Sequence, residues 1–236
     1  MGYIDLLNYR YKSRTILIFI FTMAFCYCGS NAVNVYCFSI LASIEDASTA
    51  QLFTSIIPIG DIIGPFISII LIGSLNRKNL YIGGLFGCMF SLSVFSILGW
   101  AQIRDAQKYF LILFKLIFAS SVGPVHWTFP SEIMPPIGIG FFSFAYWVCS
   151  LSTVQIYPYL LNGIGTEASI IIFPIVTIFL IMYLSKYMKD STGKTKEQIE
   201  NMYIAKQSNN NLQTLEDLNF PYTANNIQGI DSPTKK

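Results

Sequence analysis

A histidine, an indole, two prolines and a carboxylate lie close together in Gly123-Pro124-Val125-His126-Trp127-Thr128-Phe129-Pro130-Ser131-Glu132-Ile133-Met134-Pro135, near the end of a long apolar run. Pro124 has no N–H to give the carbonyl of Ser120, and Pro130 has none for His126, so two carbonyls lose their helical partners. In hydrocarbon such losses are tolerated only where neighbouring helices or a water-filled cavity satisfy the freed groups. The stretch has the pattern of a pathway, not of an anchor. His126 titrates near physiological pH when unperturbed, which opens a proton-linked role beside the plainer one of a hydrogen-bonded packing residue. Asp61 stands among Pro58, Gly60, Gly64 and Pro65 in another apolar run. A carboxylate near the bilayer centre costs about 2.5–3.5 kcal/mol on insertion scales, so it usually faces a cavity and has a partner. It could accept hydroxyls or titrate, or be held in a structural pair with His126 or Lys115. Lys115 itself, snorkelling or paired, is given no role. Asn31 and Asn34 are three apart and share a helix face, with Tyr27 four residues before Asn31 on the same side. This is hydrogen-bonding and proton-carrying chemistry; no nucleophile–base pair or metal-ligand set accompanies it. Cys26 and Cys28 would point about 200° apart on a helix, with no histidine nearby, and all five cysteines read as apolar packing.

The elements that must position these groups are membrane spans. The 236 residues are 53% hydrophobic and 12% charged, with a mean hydropathy of +0.52, whereas soluble domains average about 25% charged residues. Apolar runs near 15–42, 50–74, 79–101, 109–130, 137–161 and 166–187 have the length of about 20 residues that crosses a bilayer core. Residues 1–14 lack an apolar core and carry Asp5, Arg10, Lys12 and Arg14, unlike a signal peptide. Six spans put both termini on one side. Arg10, Lys12, Arg14, Arg77, Lys78, Lys186, Lys189, Lys194 and Lys196 flank that side, against Arg104 and Lys108 on the other, so both termini are expected in the cytoplasm. Gly83, Gly84, Gly87 and Ser91 at helical spacing predict a close helix–helix face. Residues 188–236 are expected to form a cytoplasmic tail, largely disordered after about 205, where an Asn-rich tract begins.

Four motifs, in order, carry a resemblance. Gly29-Ser30-Asn31-Ala32-Val33 with Tyr36 is similar to the Gly-Ile-Asn-Ala-Val…Tyr of helix 7 in the sugar porter family of the major facilitator superfamily. Asn76-Arg77-Lys78-Asn79-Leu80 resembles the family's Gly-Arg-Arg-Pro-Leu between helices 8 and 9. The stretch 123–135 resembles its Gly-Pro-x-Pro-Trp…Pro-Ser-Glu of helix 10, and Asp190-Ser191-Thr192-Gly193-Lys194-Thr195-Lys196-Glu197 the Glu-Thr-Lys-Gly-Lys-Thr-Leu-Glu after helix 12. Asp5-Leu6-Leu7 with Arg10, Lys12 and Arg14 also looks like the end of the linker before helix 7. The resemblance implies helices 7–12 of a twelve-helix carrier, with no counterpart of the first six.

It also implies roles. Trp127 matches the tryptophan lining the family's sugar cavity, where an indole stacks on a pyranose and offers one N–H; simple packing is the competing reading. Asn31 matches a hydroxyl-binding asparagine, with an interhelical hydrogen bond as its alternative. Asp61 falls where glucose transporters carry a sugar-contacting asparagine. Asn34, Tyr146 and Ser150 complete the candidate substrate contacts, the last two standing near the family's helix 11 asparagines. Glu132 with Arg77 and Lys78 matches the charges whose pairing closes one end of the carrier, a bistable element for alternating access; orientation alone would also explain the two bases. Departures are many. Phe25 and Cys26 replace two glutamines, His126 a proline and Ala119 a glutamate, and the loop after helix 10 is shorter. Phe25, Tyr146 and Tyr157 could shape a more apolar cavity.

The expected fold is therefore an all-α membrane protein: six transmembrane helices over 15–187, half of a major facilitator superfamily fold. The expected function is transport of a small polar solute, a sugar first, by alternating access. The alternative is a non-transporting half-length protein that binds or senses solute or regulates a full-length relative. Expected partners are the solute, the bilayer and either a missing N-terminal half or a second subunit. No cofactor, nucleic acid or enzymatic activity is expected.

Overall fold

In a computed structural model, residues 9–195, 197–199 and 201–203 are described. The tail expected to be disordered after about 205 lies outside them, as do the residues of the linker-like Asp5-Leu6-Leu7. Six helical stretches long and apolar enough to cross a membrane follow one another: Tyr11–Ala42, Ala47–Ser74, Arg77–Trp100, Arg104–Ile133, Pro136–Ile164 and Thr166–Tyr187. Each contains or overlaps one apolar run of the sequence.

Three of the six are interrupted, and each interruption has a local cause. The first divides into α1 (Tyr9–Tyr27) and α2 (Ser30–Ala42). Gly29 between them takes φ +97°, a left-handed conformation open to glycine because it has no Cβ. The second divides into α3 (Ala47–Ile56) and α4 (Ile59–Ser74) around Pro58. Here the chain resumes through short turns, Gly60 N–H to Ile57 O (3.0 Å) and Asp61 N–H to Pro58 O (2.9 Å). The third span, α5 (Arg77–Trp100), is continuous. The fourth runs from α6 (Arg104–Ile117) through a π-helical turn (Phe118–Val122) into α7 (Gly123–Ile133). The N–H of Gly123 returns to the carbonyl of Phe118, five residues back. The interruption expected at Pro124 is thus a widened turn rather than a break, a device found often at functional sites. The hydroxyls of Ser120 and Ser121 both donate to the Ile117 carbonyl, at 3.2 and 2.5 Å. The last two spans, α8 (Pro136–Ile164) and α9 (Thr166–Tyr187), carry Pro158 and Pro174 inside them.

The helices pack as a bundle in which α5 lies against α9 and α6, α1 against α8 and α9, and α4 against the π turn. Aromatic side chains fill its centre: Phe21, Tyr81, Phe95, Phe114 and Phe129 are all buried. The five cysteines are unpaired and buried within it. The small-residue face of α5 is real but one residue narrower than its spacing implies. Gly84 approaches Ser121 and Val122, and Gly87 approaches Ile117, whereas no neighbour comes near Gly83.

On α4, Gly64 permits the closest approach to the π turn, because a Cβ there would lie 2.7 Å from the backbone carbonyl carbon of Ala119. Gly64→Leu is therefore expected to lower the melting temperature of the purified chain by about 3–10 °C, the effect of roughly 1–3 kcal/mol of overpacking. Gly73→Leu, where nothing lies within 4 Å, is expected to leave it unchanged; equal shifts for the two would refute the close approach.

Even span number brings the start of α1, the α4–α5 and α7–α8 turns and the end of α9 to one end of the bundle. Lys78 Nζ to Ser185 O (2.7 Å) and Arg14 to Ile133 O (3.4 Å) join them there. At the opposite end Lys108 pairs with Glu45 at 2.7 Å, and the hydroxyls of Ser43 and Thr166 meet at 2.7 Å.

Candidate functional site

The expected contact residues fall into two groups, one aromatic and one charged, with α2 contributing to both. The aromatic group is built where α7 faces α8. Trp127 is half exposed, at 52%. It meets Tyr146 edge-on with ring centroids 5.3 Å apart, and Phe142 in the same manner at 5.7 Å. Behind it His126 is fully buried in a box of rings. It stacks on Phe25 with centroids 3.7 Å apart and lies 4.9 Å from Phe142 and 5.8 Å from Tyr146. Neither His126 nitrogen meets a hydrogen-bond partner among the described residues. Of the two readings open to His126, the polar packing role therefore lacks its hydrogen bond, and the ring packs as an aromatic. Ser150 is half-buried on α8, one turn after Tyr146.

Asn31 lies just past the Gly29 break and is buried at 8% exposure beside Cys26, its Nδ2 without a hydrogen-bond partner among the described residues. The break also changes the register expected for Tyr27. Its hydroxyl meets that of Ser152 on α8 at 2.7 Å, so Tyr27 serves the α1–α8 contact instead of continuing the asparagine face. Tyr36 likewise donates to the carbonyl of Val154, at 2.9 Å.

The charged group is formed by α2, α4 and α6. Lys115 Nζ lies 2.8 Å from Asp61 Oδ2 and 2.5 Å from Asn34 Oδ1. Of the two partners the sequence offers for Asp61, the structure selects Lys115; His126 is enclosed in its aromatic box. The Lys115 side chain is 5% exposed and that of Asp61 51%, so the acid opens outward while the base stays inside. Asn34 is exposed as well. Sequence reasoning offers Lys115 as one possible partner of Asp61 and gives it no role in the site; a lysine in the fourth apolar run and an aspartate in the second are the signal for the pair. Asn31 and Asn34, one helical turn apart on α2, stand one by each group.

At the end of the bundle that gathers the basic residues, Arg77 at the start of α5 forms an ion pair with Glu132 in the last turn of α7, both about three-quarters buried. Ser191 donates to the other Glu132 oxygen at 2.6 Å. The Arg77 backbone N–H donates to Thr192 Oγ1 at 3.0 Å, and that hydroxyl donates to Asp190 Oδ1 at 2.7 Å. Three segments far apart in sequence are thereby clasped. Lys78 is not part of the clasp; it reaches the Ser185 carbonyl. Ser191 and Thr192 belong to a motif visible in the sequence, though their contact with Glu132 and Arg77 is not. Among the described residues no group of three or more His, Cys, Asp or Glu is arranged to hold a metal.

Comparison with solved structures places the fold. The proton:xylose symporter of the major facilitator superfamily, XylE, solved with 6-bromo-6-deoxy-D-glucose, superposes with a TM-score of 0.72 at 19% identity, over 80% of this chain and 42% of that one. A double tryptophan variant of XylE gives a TM-score of 0.70 over 81% and 43%. Among curated proteins, the putative metabolite transport protein YfiG of Bacillus subtilis is 28% identical over 74% of this chain and 38% of its own length. The glucose transporter GlcP of Staphylococcus epidermidis is 26% identical over 73% and 41%. The chain thus spans about two-fifths of the length of the curated relatives it matches. The family model described as sugar (and other) transporter matches residues 3–203. With six candidate spans in half of a major facilitator superfamily fold, the chain belongs to the sugar transporter family.

Proposed function

We propose that this chain is the C-terminal six-helix half of a sugar-porter-like carrier, moving a small uncharged polar solute, a sugar first, by alternating access. The observation that carries the proposal is the outward presentation of Trp127, Asn34 and Asp61 on helices whose backbones are interrupted at Gly29, Pro58 and the π turn. An indole face and a carboxamide–carboxylate pair are the two surfaces a pyranose needs, one for its apolar face and one for its hydroxyls. In major facilitator carriers such sites lie near the midplane, at the interface of two halves. The second wall would come from an N-terminal half or a second subunit. The clasp of Arg77, Glu132, Ser191 and Thr192 would then hold one end shut, and the charge bias puts that end in the cytoplasm.

The test is uptake of labelled D-glucose, D-xylose and myo-inositol by transporter-null cells expressing the chain. Asp61→Ala is expected to abolish uptake and Trp127→Ala to raise KM about tenfold, the loss of a stacking contact of roughly 1.4 kcal/mol. Wild-type uptake by Asp61→Ala would remove Asp61 from the site. A second reading, a half-length protein that binds or senses solute without moving it, draws support from the burial of Asn31, which leaves one fewer hydroxyl partner facing outward. Saturable binding to the purified chain with no uptake would favour it.

A further inference from the structure

The ammonium of Lys115 reaches the carboxylate of Asp61 and the carboxamide of Asn34 at once. An ammonium has hydrogens to give and no lone pair to receive with. The Asn34 atom facing Lys115 must therefore be the amide oxygen, which leaves the amide N–H₂ as the group Asn34 offers elsewhere. Asp61, ionised beside the ammonium, holds Oδ2 toward Lys115 and keeps Oδ1 for another donor. An exposed Asn34 and a half-exposed Asp61, each held by one oxygen on a common nitrogen, thus offer their remaining polar atoms as a fixed donor and a fixed acceptor. Without Lys115 a carboxamide can turn over, and donor and acceptor exchange places.

We propose that Lys115 is a positioning residue. It orients Asn34 and Asp61 into a donor–acceptor pair for two adjacent hydroxyls of an uncharged solute, one accepting from Asn34 Nδ2 and the other donating to Asp61. The proposal rests on the solute-binding reading above and adds to it the residue that sets the orientation of the two contacts. Anionic sugars are excluded on two grounds. Lys115 is 5% exposed with its charge already matched by Asp61, and the acid is the member of the pair that opens outward. The pair also explains how a lysine is held in an apolar helix: an unmatched charge in the membrane is costly, and removing either partner leaves the other charge uncompensated there.

The experiment has two arms on the purified full chain. The first uses no solute and reads melting temperature. Lys115→Met is expected to lower it by on the order of 10 °C, and Asp61→Asn/Lys115→Met to recover most of that. An Asn34→Leu/Lys115→Met cycle is expected to be non-additive, and additivity would overturn the proposal. The second arm follows Trp127 fluorescence on titration with D-xylose, D-glucose and D-gluconate, each also run on Trp127→Phe as the blank. The stable Asp61→Asn/Lys115→Met variant is expected to bind the neutral sugars about tenfold more weakly. Lys115→Arg, which keeps the donors, is expected to stay within about threefold of wild type. Gluconate is expected not to bind. Wild-type affinity in the Asp61→Asn/Lys115→Met variant, or gluconate binding as tightly as glucose, would overturn the proposal. A non-additive cycle with no neutral sugar bound by the wild type would instead sink the solute-binding reading and leave the Lys115 contacts standing.

Discussion

Exchanging the charges of Arg77 and Glu132 is expected to yield a chain at least as heat-stable as the wild type, although either single reversal destabilises it. The reason lies in where each charge sits. Arg77 is the first residue of α5, at the positive end of that helix, and Glu132 is in the last turn of α7, at the negative end. Each stands at the helix end that disfavours its sign, by about 0.3–1 kcal/mol. The ion pair, at 23% and 22% exposure, offsets both. In Arg77→Glu two carboxylates face each other in a site three-quarters shielded from water, and in Glu132→Arg two guanidiniums do. Either is expected to lower the melting temperature by about 5–10 °C, from a loss of roughly 2–3 kcal/mol for hydrogen bonds to charged groups. In the Arg77→Glu/Glu132→Arg double variant the attraction returns and both helix ends now carry the favoured sign. Ser191, which donates to Glu132, can accept from an arginine through the same hydroxyl. Thermal melts of the four purified proteins check this. A double variant no better than the worse single would show that the pair does not couple. Under the proposed gating role, the stabilised clasp should also slow transport while leaving solute affinity within about twofold, because a state held more firmly shut opens less often.

That clasp shows how far the sequence could be read. The spans are legible because run length is a one-dimensional property, and the motifs after α4, in α7 and after α9 are legible because they are local. What joins them is not local. Nothing in the order of residues says that Ser191 reaches the second oxygen of Glu132 or that Lys78 turns to a backbone carbonyl instead. The Asp61–Lys115 pair is one of the two the sequence offers, but the second contact of Lys115, to Asn34, is hidden, since it depends on α2 and α4 presenting Asn34 and Asp61 at the same height. Backbone irregularity divides the same way. Pro58 announces its break, whereas Pro124 announces an interruption but not its form, a π turn at 118–122 against which Gly64 of α4 and Gly84 of α5 pack closely. The register error at Tyr27 has one source, the positive φ of Gly29, which a glycine permits and does not require.

Gly29→Val is expected to prevent the chain from accumulating in folded form, for two reasons that can be separated. The first is conformational. At φ +97° any Cβ is strained by about 1–2 kcal/mol, and a β-branched side chain by more. The second is spatial. A Cβ at this position would lie 2.6 Å from Leu92 Cδ1 and 3.4 Å from Phe173 Cγ, both buried side chains in a packed core. Overpacking of this kind costs a further 1–3 kcal/mol or so. Gly29→Ala carries both penalties in milder form and is expected to lower the melting temperature by about 5–15 °C. Leu92→Ala in the same chain opens the space and should return the spatial part alone, after allowance for the cavity Leu92→Ala makes by itself. If the double variant recovered completely, the left-handed turn would carry no strain. If it recovered nothing beyond additivity, Leu92 would not be the neighbour that matters. The residual strain has a functional reading under the proposed solute site. The same turn sets the rotation of α2, and with it the burial of Asn31 and the meeting of Asn34 with Lys115. A Gly29→Ala/Leu92→Ala chain that relaxes by rewinding the α1–α2 junction should therefore regain heat stability while its affinity for neutral sugars falls. One that keeps the left-handed turn should retain both the strain and the affinity.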